Sequence, residues 1–286
     1  MKHYVVTGVS SGIGLALARL LVKQGHHVFG SVRRQEDADR VSAELGETFT
    51  PLLMDLTDDD AITRAAQVVR GYLDGHTLAG LVNNAGIATH GPLLDMPFED
   101  IEHQVDANLM GTLRVIRAFA PLLGLDASLS GAPGRIVNIS AGTSTVIPPF
   151  LGSFAMVVCG IEGMSDALRR ELLLVGIDVI IFAVGNTMTP LWDKADAENM
   201  EQYRNSIFFE ALMRFRMHVI EYARQQGRTA ESAAFLINKA LTARRPRAKY
   251  LISSSMIGNQ IWPRMLPRRV LDRVFGKTLG LLPKRD

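Results

Sequence analysis

The chain has 286 residues, 47% of them apolar, and a formal net charge of +2, which suits a large α/β core and gives no charge excess to attract nucleic acid. Its single cysteine, Cys159, excludes an internal disulfide framework and a cysteine-rich metal site, and fits a reducing compartment. No apolar run approaches the ~20 residues of a membrane span, and no early segment has the ordered regions of a signal peptide, so a soluble, cytoplasmic, metal-free protein is expected.

The first element is an apolar run, Tyr4–Val6, that reads as a buried strand. Gly8-x-x-x-Gly12-x-Gly14 follows and opens a helix whose Leu15, Ala18 and Leu21 share one face. A strand, a glycine-rich turn and a helix N-terminus together form an anion site, because free N–H groups and the helix dipole converge there. A second strand, residues 26–32, ends in Arg33 and Arg34 with no acid at its tip. An acid there would bind ribose hydroxyls, whereas arginine pairs with a 2′-phosphate, so NADP(H) is favoured over NAD(H). After a polar helix over 36–45 comes a third strand within 50–57, with Asp55 and Leu56 at its tip. Asp58–Asp60 suit a helix start. The fourth strand, residues 78–82, runs into Asn83-Asn84-Ala85-Gly86, a small polar turn that admits a ligand. Alternating strands and helices at this pace predict a parallel, doubly wound sheet with its site at the strands' carboxyl ends.

The glycine turn together with Asn83-Asn-Ala-Gly86 resembles the short-chain dehydrogenase/reductases. The likeness continues through Asn108, the strand over 134–140, the helix around Glu162-Gly163 and Thr189-Pro-Leu-Trp192, so it covers residues 3 to about 195. It implies one Rossmann-type domain over residues 1–286, helices on both faces of the sheet, and a homodimer or homotetramer. It further implies that Gly8, Ser10, Ser11, Gly12, Ile13 and Gly14 hold the pyrophosphate and adjoining ribose. Arg33, with Arg34, would take the 2′-phosphate, Asp55 and Leu56 the adenine edge, and Asn83, Ala85 and Gly86 the ribose region. Gly185, Thr187 and Thr189 would complete the cofactor site.

The family's Ser, Tyr and Lys are missing. The Tyr position, eight residues before Glu162, is Phe154, and the Lys position is Val158. Thirteen residues before Phe154 stands Ala141, with Ser140 one residue too early and facing the other way on a strand. Only Asn108 remains of the usual four, and Ser140 is a weak substitute. Phenylalanine transfers no proton and valine bonds no ribose. Three outcomes are open. One is an NADP(H)-dependent oxidoreductase with atypical chemistry on a small hydrophobic molecule, its acceptor needing no proton from a tyrosine. Another is a non-redox enzyme (isomerisation, cyclisation or elimination) with structural NADP(H). The third is an NADP(H)-binding pseudoenzyme.

Cys159 is read as a buried, inert thiol, and His90 and His103 as surface or loop residues. Phe154, Met188 and Trp192 are candidates to line the substrate. Residues 187–217, rich in methionine and aromatic side chains, read either as a lid over a hydrophobic substrate or as ordinary core packing. In the extension over 258–286, apolar and basic residues alternate at helical spacing. That pattern fits peripheral contact with a membrane, although a helix covering the cleft or a partner subunit is the preferred reading.

Overall fold

The computed structural model describes residues 1–144, 146–185, 187–188, 200–252 and 266–283, with backbone alone at 187–188 and 219–226. Its sheet has seven strands, in the order β3 (Phe49–Leu53), β2 (His27–Val32), β1 (His3–Val6), β4 (Gly80–Asn83), β5 (Arg135–Ala141), β6 (Asp178–Val184) and β9 (Lys249–Ile252). Every neighbouring pair is parallel. A two-residue pair, β7 (Thr187–Met188) with β8 (Arg228–Thr229), stands apart from it. The strand order reverses between β1 and β4, and in such a sheet the crevice beyond the strands' carboxyl ends at the reversal is where ligands bind.

Helices cover both faces because the central strands are apolar on both sides, as a parallel sheet requires. Tyr4 and Val6 of β1 pack into one core with α1 (Gly12–Lys23), α2 (Gln35–Leu45) and α8 (Ala230–Thr242). Val5, between them, enters the opposite core with α3 (Asp59–Tyr72) and α5 (Gly111–Phe119), as the two-residue period of a strand dictates. The doubly wound α/β class predicted from the alternation is the one observed.

β3 is shorter than its apolar pattern suggests. It stops at Leu53 because the Asp55 carboxylate accepts hydrogen bonds from the Thr57 amide (2.9 Å) and hydroxyl (2.7 Å), and so bends the chain. Asp58 then caps α3 by accepting from the Ala61 amide at 2.9 Å, which satisfies one of the free donors of a helix start.

A third apolar cluster lies off the sheet. Phe150 and Leu151 pack there with Met200, Tyr203, Leu212 and Phe215, and Phe208, Phe209 and Met213 lean on it. Leu279, from the C-terminal helix α9 (Arg268–Leu279), closes the group. The methionine-rich and aromatic part of 200–215 thus packs as a small core of its own, while Met217 is exposed. Helix α9 turns Val270 and Val274 outward beside Arg268, Arg269 and Arg273. Among the described residues no helix is long and apolar enough to cross a membrane.

Candidate functional site

Two turns meet at the carboxyl ends of β1 and β4. Gly8 and Gly12 have φ of +73° and +60°, a region open to glycine without steric cost. The Gly8 amide donates to the Ser31 hydroxyl (3.0 Å) and the Val9 amide to the Ser31 carbonyl (3.0 Å), so β2 fixes the turn. The Thr7 hydroxyl accepts from the amides of Asn84 and Ala85, both at 2.9 Å. The Asn84 side chain donates back to the carbonyls of Thr7 (3.0 Å) and Gly8 (3.2 Å). A Cβ on Gly8 would lie 2.8 Å from Ala85 Cα, so the two turns touch only because Gly8 is bare.

Beyond them α1 begins without compensation. Ser11, at its N-cap, makes no side-chain cap bond, and no acid lies in its first turn. The free N–H groups and the positive end of the dipole are left for an anion. Ser10, Ser11 and Gly12 are half-buried, and Ile13 and Gly14 are buried. Arg33 and Arg34 lie just past β2, both exposed. Arg34 pairs with Asp37 at 3.3 Å. Arg40 was not singled out from sequence, yet its guanidinium bonds the Ser10 carbonyl (2.6 Å) and Asp37 (2.8 Å). Its three-residue spacing from Asp37 on one helix face was the available clue. These arginines, Arg40 foremost, hold the Asp37 carboxyl below its usual range. Asp55 is also held low: burial pulls most strongly the other way, but the Thr57 bonds and the Arg33 and His103 charges prevail. Leu56, next to it, is buried.

A helix with a π turn supports the other side. Between α4 (Phe98–Val105) and α5, residues Asp106–Met110 form that turn, and such insertions are common at functional sites. Asn108 sits within it, buried, accepting from the Ile87 amide (2.8 Å) and donating to the Ile87 carbonyl (2.7 Å). Gln104, one turn earlier, accepts from the Thr89 amide (2.6 Å) and hydroxyl (3.0 Å). The loop following Gly86 is thereby held against this helix. Asn83 continues the scaffold inward. Its side chain donates to Asn138 (2.8 Å), Asn138 donates to the Ser165 hydroxyl (2.9 Å), and Ser165 donates to the Ile161 carbonyl (2.6 Å).

The remaining wall is α6 (Gly152–Glu171) with the end of β5. Phe154 is half-buried and Val158, one turn on, is buried. Ala141 is half-buried at the strand's last position. The Ser140 hydroxyl points at α6 and donates to Glu162 (3.0 Å). The same carboxylate accepts from the Ser144 hydroxyl (2.8 Å) and meets Lys249 at 2.6 Å. Glu162 and Lys249 lie 87 positions apart, so only the tertiary fold reveals their pairing. Phe150, just before α6, has φ of +68°, a costly conformation for a bulky residue. Its burial in the third cluster and the Gly91 amide, which donates to its carbonyl at 2.9 Å, hold it there.

One expectation fails. Cys159 is exposed, because Ser153, Val157, Val158, Ile161 and Ser165 take the buried face of α6 and leave Cys159 beside Met156 on the other. Partial burial, then the Glu162 charge, raises its thiol pKa, which disfavours the nucleophilic thiolate. His90 lies in the loop after β4, as the surface-or-loop reading expects, although its side chain is buried, and His103 is exposed. Gly185 follows β6, its amide donating to the Ile252 carbonyl at 2.6 Å. The backbone of Thr187 and Met188 forms β7. Thr189 and Trp192 lie outside the described residues. Among the described residues no three His, Cys, Asp or Glu side chains converge as a metal site requires.

This geometry has known counterparts. The family model described as short chain dehydrogenase matches residues 2–200. The chain belongs to that family. An NADPH-dependent 3-dehydrocapnine reductase from Ornithobacterium rhinotracheale is 31% identical over all 286 residues of both chains. Retinol dehydrogenase 16 of Mus musculus is 30% identical, covering 87% of this chain and 80% of its own. A short-chain dehydrogenase structure from Streptomyces avermitilis superposes with a TM-score of 0.75 over 99% of this chain and 100% of that one, at 22% identity. The short chain dehydrogenase assignment thus accounts for the sheet order and for the clamped turns.

Proposed function

We propose that this protein binds NADP(H) and serves hydride transfer involving a small hydrophobic molecule whose acceptor group needs no proton from the protein. One observation carries the reading: an intact dinucleotide cradle lies in the same fold as a wall with no ionisable group at Ala141, Phe154 and Val158. The cradle suits the cofactor, since Gly8 and Gly12 take positive φ and α1 opens uncapped. Amides of residues 10–14 would hold the pyrophosphate, Arg33 the 2′-phosphate, Asp55 and Leu56 the adenine edge, and Asn83, Ala85 and Gly86 the ribose region. The similarity to an NADPH-dependent reductase supports the choice of NADP(H). When bound, the cofactor supplies a hydride.

What the wall can do follows from its chemistry. A ketone that receives hydride becomes an alkoxide and needs a proton, and general acid catalysis is typically worth ~10²–10⁴-fold. Phe154 has no proton to give. An iminium ion becomes a neutral amine on receiving hydride and asks for none. An aromatic face also attracts a cation by ~0.5–2 kcal/mol, more as water is excluded. Phe154 and Val158 therefore favour a cationic, largely apolar acceptor over a ketone of the same shape.

The test is calorimetric titration with NADPH and NADH, followed by NADPH oxidation assays with a preformed cyclic iminium ion and the matching ketone. Tighter binding of NADPH than NADH, with oxidation by the iminium ion alone, is expected. NADPH binding without oxidation by either compound would favour the non-redox reading, and failure of both nucleotides to bind would overturn the proposal.

A further inference from the structure

The end of the sheet opposite the glycine turn holds a cavity of about 420 Å³. It lies where β1, β4 and β5 begin and where α8 ends, and its lining includes Lys2, His3, His76, Arg135 and Arg244. No aspartate or glutamate lines it, although acids and bases are nearly balanced over the whole chain. Arg135 is already occupied: it donates to the carbonyls of Ala240 (3.0 Å) and Leu241 (2.7 Å) at the end of α8 and pairs with Asp178 at 3.3 Å. Lys2 and Arg244 are exposed and have no acidic partner among the described residues. His76 is fixed through Nδ1 by the Ser130 hydroxyl at 3.0 Å, which leaves its other ring nitrogen uncommitted. Burial first, and neighbouring positive charge second, hold His3 below the usual histidine pKa, so the pocket already disfavours one more cation.

We propose that this basal cavity binds a small organic phosphate, with Lys2 and Arg244 pairing with the phosphoryl oxygens and His3 and His76 beside them. Two exposed cations without a carboxylate to neutralise them match a divalent oxyanion. The cavity exceeds what a bare phosphate fills, and its wall of Ala79, Pro133 and Leu241 gives an apolar seat to a carbon skeleton. The site is separate from the cofactor cradle, since it lies at the opposite ends of β1 and β4.

Phenyl phosphate and inorganic phosphate are the probes, followed by calorimetry and by the imidazole resonances of His3 and His76. Phenyl phosphate is expected to shift both imidazoles and to bind more tightly than inorganic phosphate. The Lys2→Gln/Arg244→Gln variant should weaken it at least about tenfold, since charge-assisted bonds to a phosphate are the strong ones. Both positions are exposed, so folding is not at risk, and Arg244→Gln alone should give part of the loss. A titration at saturating NADPH controls for uptake at the cofactor end and should give the affinity of the free protein. Unmoved imidazoles, undiminished binding in the double variant, or loss of binding at saturating NADPH would each overturn the proposal.

Discussion

His27 is buried where β2 starts, its Nε2 2.9 Å from the Thr50 hydroxyl and its ring centroid 4.7 Å from Phe29 and 5.4 Å from Tyr72. Burial, then the charge of His3, lowers its pKa below the ordinary 6.5. The unfolded chain therefore takes up a proton there more readily than the folded one, and stability falls as pH drops through about 6.5. Asp37, Asp55 and Asp166 have lowered values too, but their contribution is lost only below the usual carboxylate range, near pH 4. The two windows are separable. The urea midpoint should fall between pH 7.5 and pH 5, and His27→Gln should flatten that slope. His3 and His26, also lowered mainly by burial, keep it from vanishing. An unchanged slope in the variant would assign the effect to those two instead.

At the scale of elements, the glycine turn and its partner were legible because each has a local cause: bare backbone at Gly8, Gly12 and Gly14, and small polar residues at 83–86. The apolar wall was legible by counting from Glu162. What escaped is tertiary. The Ser31 hydroxyl under Gly8 and the Lys249–Glu162 pair join distant positions, and an inserted π residue leaves no periodicity to mark Asn108's turn. Cys159 was misread because a one-residue rotation on α6 separates a buried position from an exposed one. Gly14 tests how tightly the two turns are fitted. Alanine is intrinsically better than glycine in a helix by up to ~1 kcal/mol. Yet a Cβ there would intrude on the Gly8 carbonyl oxygen and sit 2.6 Å from Asn84 Nδ2, and overpacking costs ~1–3 kcal/mol. Gly14→Ala should thus lower stability and weaken NADPH binding. Gly163→Ala on α6, where nothing lies within 4 Å of the new Cβ, should raise stability by ~0.5–1 kcal/mol. Equal signs for the two in urea unfolding would refute this account of the turn.

Over the whole molecule, the three apolar clusters differ in what they hold. Two sandwich the sheet and share its strands, so losing a side chain in either is felt by every strand. The third joins Phe150 and Leu151 to residues 200–215 and to α9 without a sheet residue. Helix α9 is fastened to it by Leu279, by Leu281 packed against the cluster, and by the Arg214 guanidinium on the Leu279 carbonyl (3.1 Å). A buried leucine truncated to alanine costs ~2.7–5 kcal/mol when the surroundings cannot collapse. Here the cost can be met by releasing α9 alone, because proteins open in local units when few contacts bind a segment to the rest. Leu279→Ala should therefore speed amide exchange across residues 268–279 and leave the protected amides of β1 and β2 nearly unchanged. The global urea midpoint should move much less than a core truncation such as Leu17→Ala moves it. Val274→Ala, at a half-exposed position on the same helix (50% accessible), should alter neither. A uniform loss of protection across sheet and helix in Leu279→Ala would mean that the third cluster folds as one unit with the other two.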